Sequence, residues 1–389
     1  MKIRALLLFV FSCVMVTVAS PVSAQSAPEG LGFDQTPLCL PEGDSGLGQV
    51  CQAFGPVEYF AAQEQAGIEF PIQPLPALNL VPVYSELPFN YVRLSNDSVP
   101  IFSSLDDAIT NNNPYQYIST GPTKYASYVD TYQGTGSGRY YMIDPGMWIR
   151  GGSTSGRIGY SDFVGLEFSG TPNNQFGWVI YQTDSYTEPG GDPAKLTGHV
   201  LNKFDQIQVF GSEEVNGVQW HLIGPDEWVD SSVTALVYPA SDPPAGVTNG
   251  RWIEVNLYEQ TIAVYQSNRL VFATLTSTGI PGWWTQPGLF QIREKVASTP
   301  MSGSFEANFS DYYYLEDVPW TMYFDQARAL HGAYWHNLFG YEQSHGCVNL
   351  SPGDARWLFG WADVGDFVYV WDPSGQTPTD PSLYTAGGA

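Results

Sequence analysis

Residues 331–350 read HGAYWHNLFGYEQSHGCVNL, and the rest of the chain is understood outward from them. They set His331 and Cys347 in one short segment rich in glycine and aromatics, with His336 and His345 between them. Only a thiolate attacks, and a free thiol with a pKa of about 8.5 is mostly protonated at neutral pH. Lowering that value by about two units corresponds to roughly 2.7 kcal/mol, which an imidazolium neighbour can supply. On residue types alone other readings stay open. An isolated Cys is commonly a small buried hydrophobe, and an isolated His a satisfied core residue. A zinc site built from His331, His336, His345 and Cys347 is disfavoured because no Cys-x-x-Cys or His-x-x-x-His pair is present, so no metal is expected.

Ser344-His345-Gly346-Cys347-Val348-Asn349, with His331 upstream, resembles the signature of the L,D-transpeptidase (YkuD-type) catalytic domain, and the resemblance covers about residues 250–371. It implies a β-sandwich-like domain with the active site at one end of its sheet. It also implies a cysteine-dependent acyltransferase acting on peptidoglycan stem peptides without a cofactor. Cys347 is then the nucleophile and His331 the general base, with the Gly332 backbone carbonyl orienting its imidazole. The backbone around Gly346 serves the oxyanion, Ser344, His345 and Asn349 support the loop, and Trp335 and His336 line the substrate groove. Ser277-Thr278-Gly279 and Thr285-Gln286-Pro287-Gly288 look like the family's loops, although Gln286 stands where a Pro is expected after Thr. Two rivals share these residues: an L,D-carboxypeptidase passing the acyl group to water, and a non-catalytic cell-wall-binding protein. A papain-like peptidase would place its Cys before its His.

Residues 1–24 read as a secretory signal peptide: Lys2 and Arg4 precede an apolar run, and Val22-Ser23-Ala24 makes a small-residue cleavage site. The expected location is therefore secreted, in the cell wall or otherwise extracytoplasmic, with membrane contact only during export. Of the cysteines that remain, Cys39 and Cys51 are expected to pair as a disulfide, which leaves Cys347 odd and in need of a chemical reason. The formal net charge of −24 disfavours nucleic acid as a partner, since little is available to neutralise phosphates.

Residues 25–90 are Pro-rich and read as an extended arm with one disulfide loop and a short helix near Val57–Ala66. From 91 to 240 the chain repeats with an offset of 80 residues: Tyr140, Ile143, Pro145, Trp148 and Ile149 return as Trp220, Ile223, Pro225, Trp228 and Val229. Alternating runs at Gln206–Phe210 and Val218–Ile223, with Asn216-Gly217 between them, predict strands joined by a tight hairpin. Two small barrels follow, at 91–160 and 161–240. Their spacing is loosely SH3-like, which carries the expectation of wall-glycan binding; the plainer alternative is a spacer. His199 and His221 are expected to be structural.

After a linker at 241–246, Ile253, Val255 and Leu257, then Thr261–Tyr265 and Leu270–Thr276, form an antiparallel meander with turn signals at Glu259-Gln260 and Ser267-Asn268-Arg269. Ser351 and Pro352 start a helix, with Asp354 in its first turn, and 366–371 makes a last strand. Residues 372–389 are expected to be disordered. The fold class is thus mainly β: two SH3-like barrels, then a β-sandwich-like catalytic domain with a short helix after the Cys.

Overall fold

Three strands of the predicted meander, Arg251–Asn256, Thr261–Gln266 and Arg269–Leu275, pair antiparallel in sequence order. Their turns fall where the sequence places them, with Gln260, Ser267 and Asn268 at positive φ. Alternation then sorts the side chains. Ile253, Val255, Ile262 and Val264 face one core, while Trp252, Ala263 and Tyr265 face another. Phe367–Trp371 returns to lie parallel beside Arg251–Asn256, from Trp252↔Phe367 to Asn256↔Trp371.

The computed structural model describes residues 56–79, 87–136, 138–156, 158, 160–240, 242–304, 306, 308 and 310–384. The expected signal peptide and the expected Cys39–Cys51 disulfide lie outside the described residues. Contacts divide the chain into a unit ending at Gln73 and one beginning at Pro74. In the first, Pro56–Gln65 is helical, close to the expected position. The remaining description concerns the second, which is mainly β.

The sheet holding the meander has seven strands: Ala77–Asn79, Leu166–Phe168, Arg269–Leu275, Thr261–Gln266, Arg251–Asn256, Phe367–Trp371 and Gly288–Gln291. A second sheet runs Val348–Leu350, Arg328–Gly332, Tyr313–Asp325, Thr123–Tyr128, Asn90–Leu94 and Thr154–Gly156, and Glu294–Gly303 also pairs with Tyr313–Asp325. Between the sheets, Ile253, Val264 and Phe272 of the first meet Met322, Leu330 and Val348 of the second, and the helix Pro352–Trp361 adds Ala355 and Leu358. Ser351 caps that helix, its Oγ accepting from the Asp354 N–H at 3.2 Å. Burial pushes Asp354 up to about 6. Its carboxylate accepts from the Gly165 N–H at 2.8 Å and from the Thr274 hydroxyl at 2.5 Å, so one side chain ties the helix to the approach to Leu166–Phe168 and to the meander strand Arg269–Leu275.

The internal repeat is structural. Asn90–Leu94 pairs with Thr123–Tyr128 and Thr154–Gly156, and Gln175–Val179 pairs in the same way with Gln206–Val209 and Thr234–Val237. Met147–Arg150 and the 3-10 turn Gly151–Ser153 recur 80 residues later as Glu227–Asp230 and Ser231–Val233.

Three expectations are corrected. The modules are not separate beads bounded at 160 and 240. Leu166–Phe168, inside the expected second module, belongs to the meander sheet through Leu166↔Ala273, and Thr123–Tyr128 of the first runs parallel to Tyr313–Asp325. Alternation says which face of a strand is buried but not which edge it joins. The hairpin around Asn216-Gly217 forms, but its first strand is Gly211–Val215, because Gln206–Val209 turns away to pair with Gln175–Trp178. The tail is ordered through Tyr384: Asp372 accepts from the Ser374 and Thr377 N–H groups, and Tyr384 is buried with the Arg328 guanidinium 5.2 Å from its ring centroid. A cation over an aromatic face holds a segment whose composition reads as loose.

Candidate active site

Arg328–Gly332 and Val348–Leu350 lie side by side in parallel register, with His331 opposite Asn349. This pairing brings Cys347, the residue just before the second strand, to the neighbourhood of His331, and both line one pocket of about 210 Å³. Cys347 is unpaired and 6% exposed, and His331 is 2% exposed. The expected Gly332 contact is present: His331 Nδ1 lies 3.4 Å from the Gly332 carbonyl oxygen. A carbonyl only accepts, so the ring proton sits on Nδ1 and Nε2 keeps its lone pair for an incoming proton.

Burial dominates the electrostatics. It lowers His331 to about 4 and pushes the Cys347 thiol up to about 11, the latter against the opposing pull of the Ala329 backbone and the Arg328 guanidinium. The resting pair is therefore neutral thiol and neutral imidazole. This corrects the expectation that an imidazolium lowers the thiol: a buried site penalises both charged forms. Sulfur becomes nucleophilic only as its proton leaves for the imidazole.

The loop before Cys347 is held from several sides. Ser344 Oγ donates to the Cys347 carbonyl at 2.5 Å and accepts from the Gly346 N–H at 3.1 Å. The Gly346 N–H is thus engaged by Ser344 in the resting state and is not the open oxyanion donor expected for it. Gly346 matters instead through its shape, since its φ is +117° and an added Cβ would stand 3.1 Å from Arg328 Nε. His345 lies flat against Tyr313, ring centroids 5.5 Å apart, with Trp283 edge-on at 4.7 Å. The two loops singled out in the sequence brace this one: the Ser277 and Asn349 backbones exchange hydrogen bonds at 2.9 Å. Thr285 Oγ1 donates to the Gly346 carbonyl at 2.9 Å and accepts from the Gly279 N–H at 3.0 Å.

His336 and Trp335 line the pocket with Asn349. His336 Nδ1 accepts from the Leu338 N–H at 3.2 Å, which leaves its proton on Nε2, 3.0 Å from the Asn349 amide. The atom facing Nε2 is Asn349 Nδ2, and the Asn349 amide oxygen is buried without a hydrogen-bond partner among the described residues. Burial and the neighbouring His331 lower His336 to about 3, so it too stays neutral. Among the described residues no three His, Cys, Asp or Glu side chains converge as a metal-holding group. His199 pairs with Glu227 at 2.6 Å and His221 with Ser212 at 2.8 Å, both within the second module.

Sequence reasoning missed two contributions. Arg328, bonded to Asp325 at 2.7 Å, lies beneath Gly346 and acts on the thiol; nothing in Gln326-Ala327-Arg328 marks it. The first module also supplies a wall of the pocket, with Arg93, Pro122, Thr123 and Tyr125. That follows from the parallel pairing of Thr123–Tyr128 with Tyr313–Asp325, which no local pattern announces.

Residues 250–370 match the YkuD family, described as the L,D-transpeptidase catalytic domain, over the same stretch that the sequence signature implies. L,D-transpeptidase 1 of Mycobacterium tuberculosis (strain ATCC 25618 / H37Rv) is 30% identical over 171 residues, covering 38% of this chain and 66% of that protein. The chain thus spans just under two thirds of the curated relative. Among solved structures, an L,D-transpeptidase from Stackebrandtia nassauensis is 29% identical over 34% of this chain and 59% of its own, with a TM-score of 0.26. The catalytic domain of the E. faecium L,D-transpeptidase is 26% identical over 32% of this chain and all of its own, with a TM-score of 0.29.

Proposed function

We propose that this protein is an exported peptidoglycan L,D-transpeptidase in which Cys347 carries the acyl group. One observation carries the reading: in a single buried pocket, an unpaired thiol shares the site with an imidazole whose Nδ1–H is tied to a backbone carbonyl. That arrangement suits a base that must take a proton on Nε2. The family match over 250–370 supports it, and the Met1–Ala24 pattern supports export.

In this reading the donor is a tetrapeptide stem. As Cys347 Sγ attacks the carbonyl carbon at the L-centre of its diaminopimelate, the thiol proton passes to His331 Nε2. Collapse of the tetrahedral intermediate breaks the C–N bond, and the departing D-alanine amine takes that proton back. A thioacyl-enzyme is left. An amine of a second stem then attacks it, gives a proton to His331, and releases Cys347 as the thiol. Backbone N–H groups of the 345–347 loop stabilise the oxyanion, where one donor is typically worth about 2.7 to 4 kcal/mol. Because the Gly346 N–H is held by Ser344 Oγ in the resting site, that of Cys347 is the donor assigned this role. Carbapenem-type β-lactams should acylate the same sulfur.

The test is turnover of a disaccharide-tetrapeptide by the wild-type protein and by Cys347→Ala and His331→Ala. Cross-linked dimer that disappears in both variants supports the reading. Free tripeptide in place of dimer makes the protein a carboxypeptidase, and dimer formation undiminished in Cys347→Ala overturns the nucleophile.

A further inference from the structure

Among the described residues the active-site pocket is lined by one charged side chain, and it does not come from residues 250–370. Arg93 belongs to the strand Asn90–Leu94 of the first module, while the other described lining groups carry no Lys, Arg, Asp or Glu side chain and burial lowers all three histidines among them. Its position follows from strand geometry. Alternation puts Val92 and Leu94 into the module's own core, and Tyr91 and Arg93 on the opposite face. Tyr91 is clamped there: its ring stacks on Tyr334 at 3.7 Å, and its hydroxyl donates to the Asp317 carbonyl at 2.7 Å. Tyr334 lies between His331 and Trp335 in the chain, so the contact that docks the module onto the site also aims Arg93 at the pocket.

Next to it, Arg93 pairs in register with Tyr125, whose hydroxyl donates to the Trp335 carbonyl at 3.2 Å. Burial raises the Tyr125 phenol, and the Arg93 charge opposes that rise, as expected of a guanidinium nearby. The guanidinium itself is exposed and makes no ion pair with any described residue, in a chain with 39 acidic residues against 15 Lys and Arg. Arg328, Arg251 and Lys195, by contrast, each hold a carboxylate. A planar fork of donors left open at the mouth of a neutral pocket fits an incoming carboxylate.

Building on the proposed function, we propose that Arg93 is a specificity residue: the first module reaches into the active site and holds a carboxylate of the donor stem through the Arg93 guanidinium. On the two residues that flank the scissile bond, a tetrapeptide stem offers that chemistry from two sources, the terminal D-alanine carboxylate and the free carboxylate at the far centre of diaminopimelate. Either would fix the stem's orientation relative to Cys347 without entering the bond-making step.

Steady-state kinetics on three stems test this: both carboxylates free, the terminal one amidated, or the diaminopimelate one amidated. On the free stem, Arg93→Gln should lose roughly ten- to a hundredfold in kcat/KM, mostly through KM, as expected for one charged hydrogen-bonded contact. Arg93→Lys should recover part of it. Amidating the recognised carboxylate should cost the wild type a similar factor and cost Arg93→Gln nothing further, so the amide that behaves this way identifies the source. Arg93→Gln within twofold of wild type on the free stem, or amidation penalties equal in both proteins, would overturn the inference. Calorimetric titration of Cys347→Ala and of Cys347→Ala/Arg93→Gln with the free stem separates this claim from the proposed function. Tenfold weaker binding in the double variant, with wild-type turnover absent, would sink the function and leave the inference standing. Equal binding in the two would sink the inference whatever the turnover.

Discussion

The neutral resting pair makes a prediction about pH that an ion-paired cysteine site would not share. His331 is lowered to about 4 and Cys347 raised to about 11, so between those limits the base is unprotonated and the thiol intact. At pH 5.5 a histidine with a pKa of about 4 is almost wholly neutral, whereas one at the usual value of about 6.5 is neutral in only about one molecule in ten. The second-order rate constant for acylation of Cys347 by a carbapenem, followed by intact mass, should therefore change by less than about twofold from pH 5.5 to 7.5. In His331→Ala the proton has no acceptor. The rate should fall by roughly 10² to 10⁴ at pH 7, the usual contribution of a positioned base. It should then climb about tenfold per pH unit toward the thiol's own pKa. A wild-type rate that falls tenfold between pH 7.5 and 5.5, or a thiolate absorbance that titrates near neutrality, would refute the burial argument.

Further outcomes follow from the same contacts. Asp354→Ala removes the two side-chain hydrogen bonds that tie the helix to Gly165 and to the meander sheet, and should cost roughly 2 to 4 kcal/mol in urea unfolding. Because the folded Asp354 is raised to about 6 from 3.8, its own titration favours the folded state below about 3.8 and that contribution is lost as pH rises through 6, so the loss should be larger at pH 4.5 than at pH 8. Gly346→Ala places a Cβ 3.1 Å from Arg328 Nε at a φ of +117°, and should lower acylation at least tenfold while far-UV circular dichroism is unchanged. A fragment cut at 250–371 would lose the strands paired with Arg269–Leu275 and Tyr313–Asp325, and should fail to unfold cooperatively under conditions where residues 74–384 do.

What could be read from sequence was local. The His331 to Cys347 signature, the Ser351 cap with Pro352 behind it, the turns at Gln260 and Asn268, and the 80-residue repeat each rest on residues close in the chain or on a fixed offset. What escaped was set by which edges meet. Phe367–Trp371 inserts parallel to Arg251–Asn256, and Thr123–Tyr128 joins the active-site sheet from almost 200 residues away. Neither pairing alters the alternation of either strand, so neither leaves a mark in it. Arg93 escaped for the same reason, because its role depends on the sheet it joins and not on its neighbours in Tyr91-Val92-Arg93-Leu94. The charge state of the site was misjudged because proximity of His and Cys was legible while the depth of burial, set by Trp335, Tyr313 and the first module together, was not.

The most direct measurement is intact mass spectrometry of the protein after incubation with a purified disaccharide-tetrapeptide, beside Cys347→Ala. The account predicts a thioester adduct of the disaccharide-tripeptide on the wild type alone, accompanied by released D-alanine and cross-linked dimer. No adduct and no product from a protein whose Cys347 is demonstrably free, or an adduct that persists in Cys347→Ala, would contradict it.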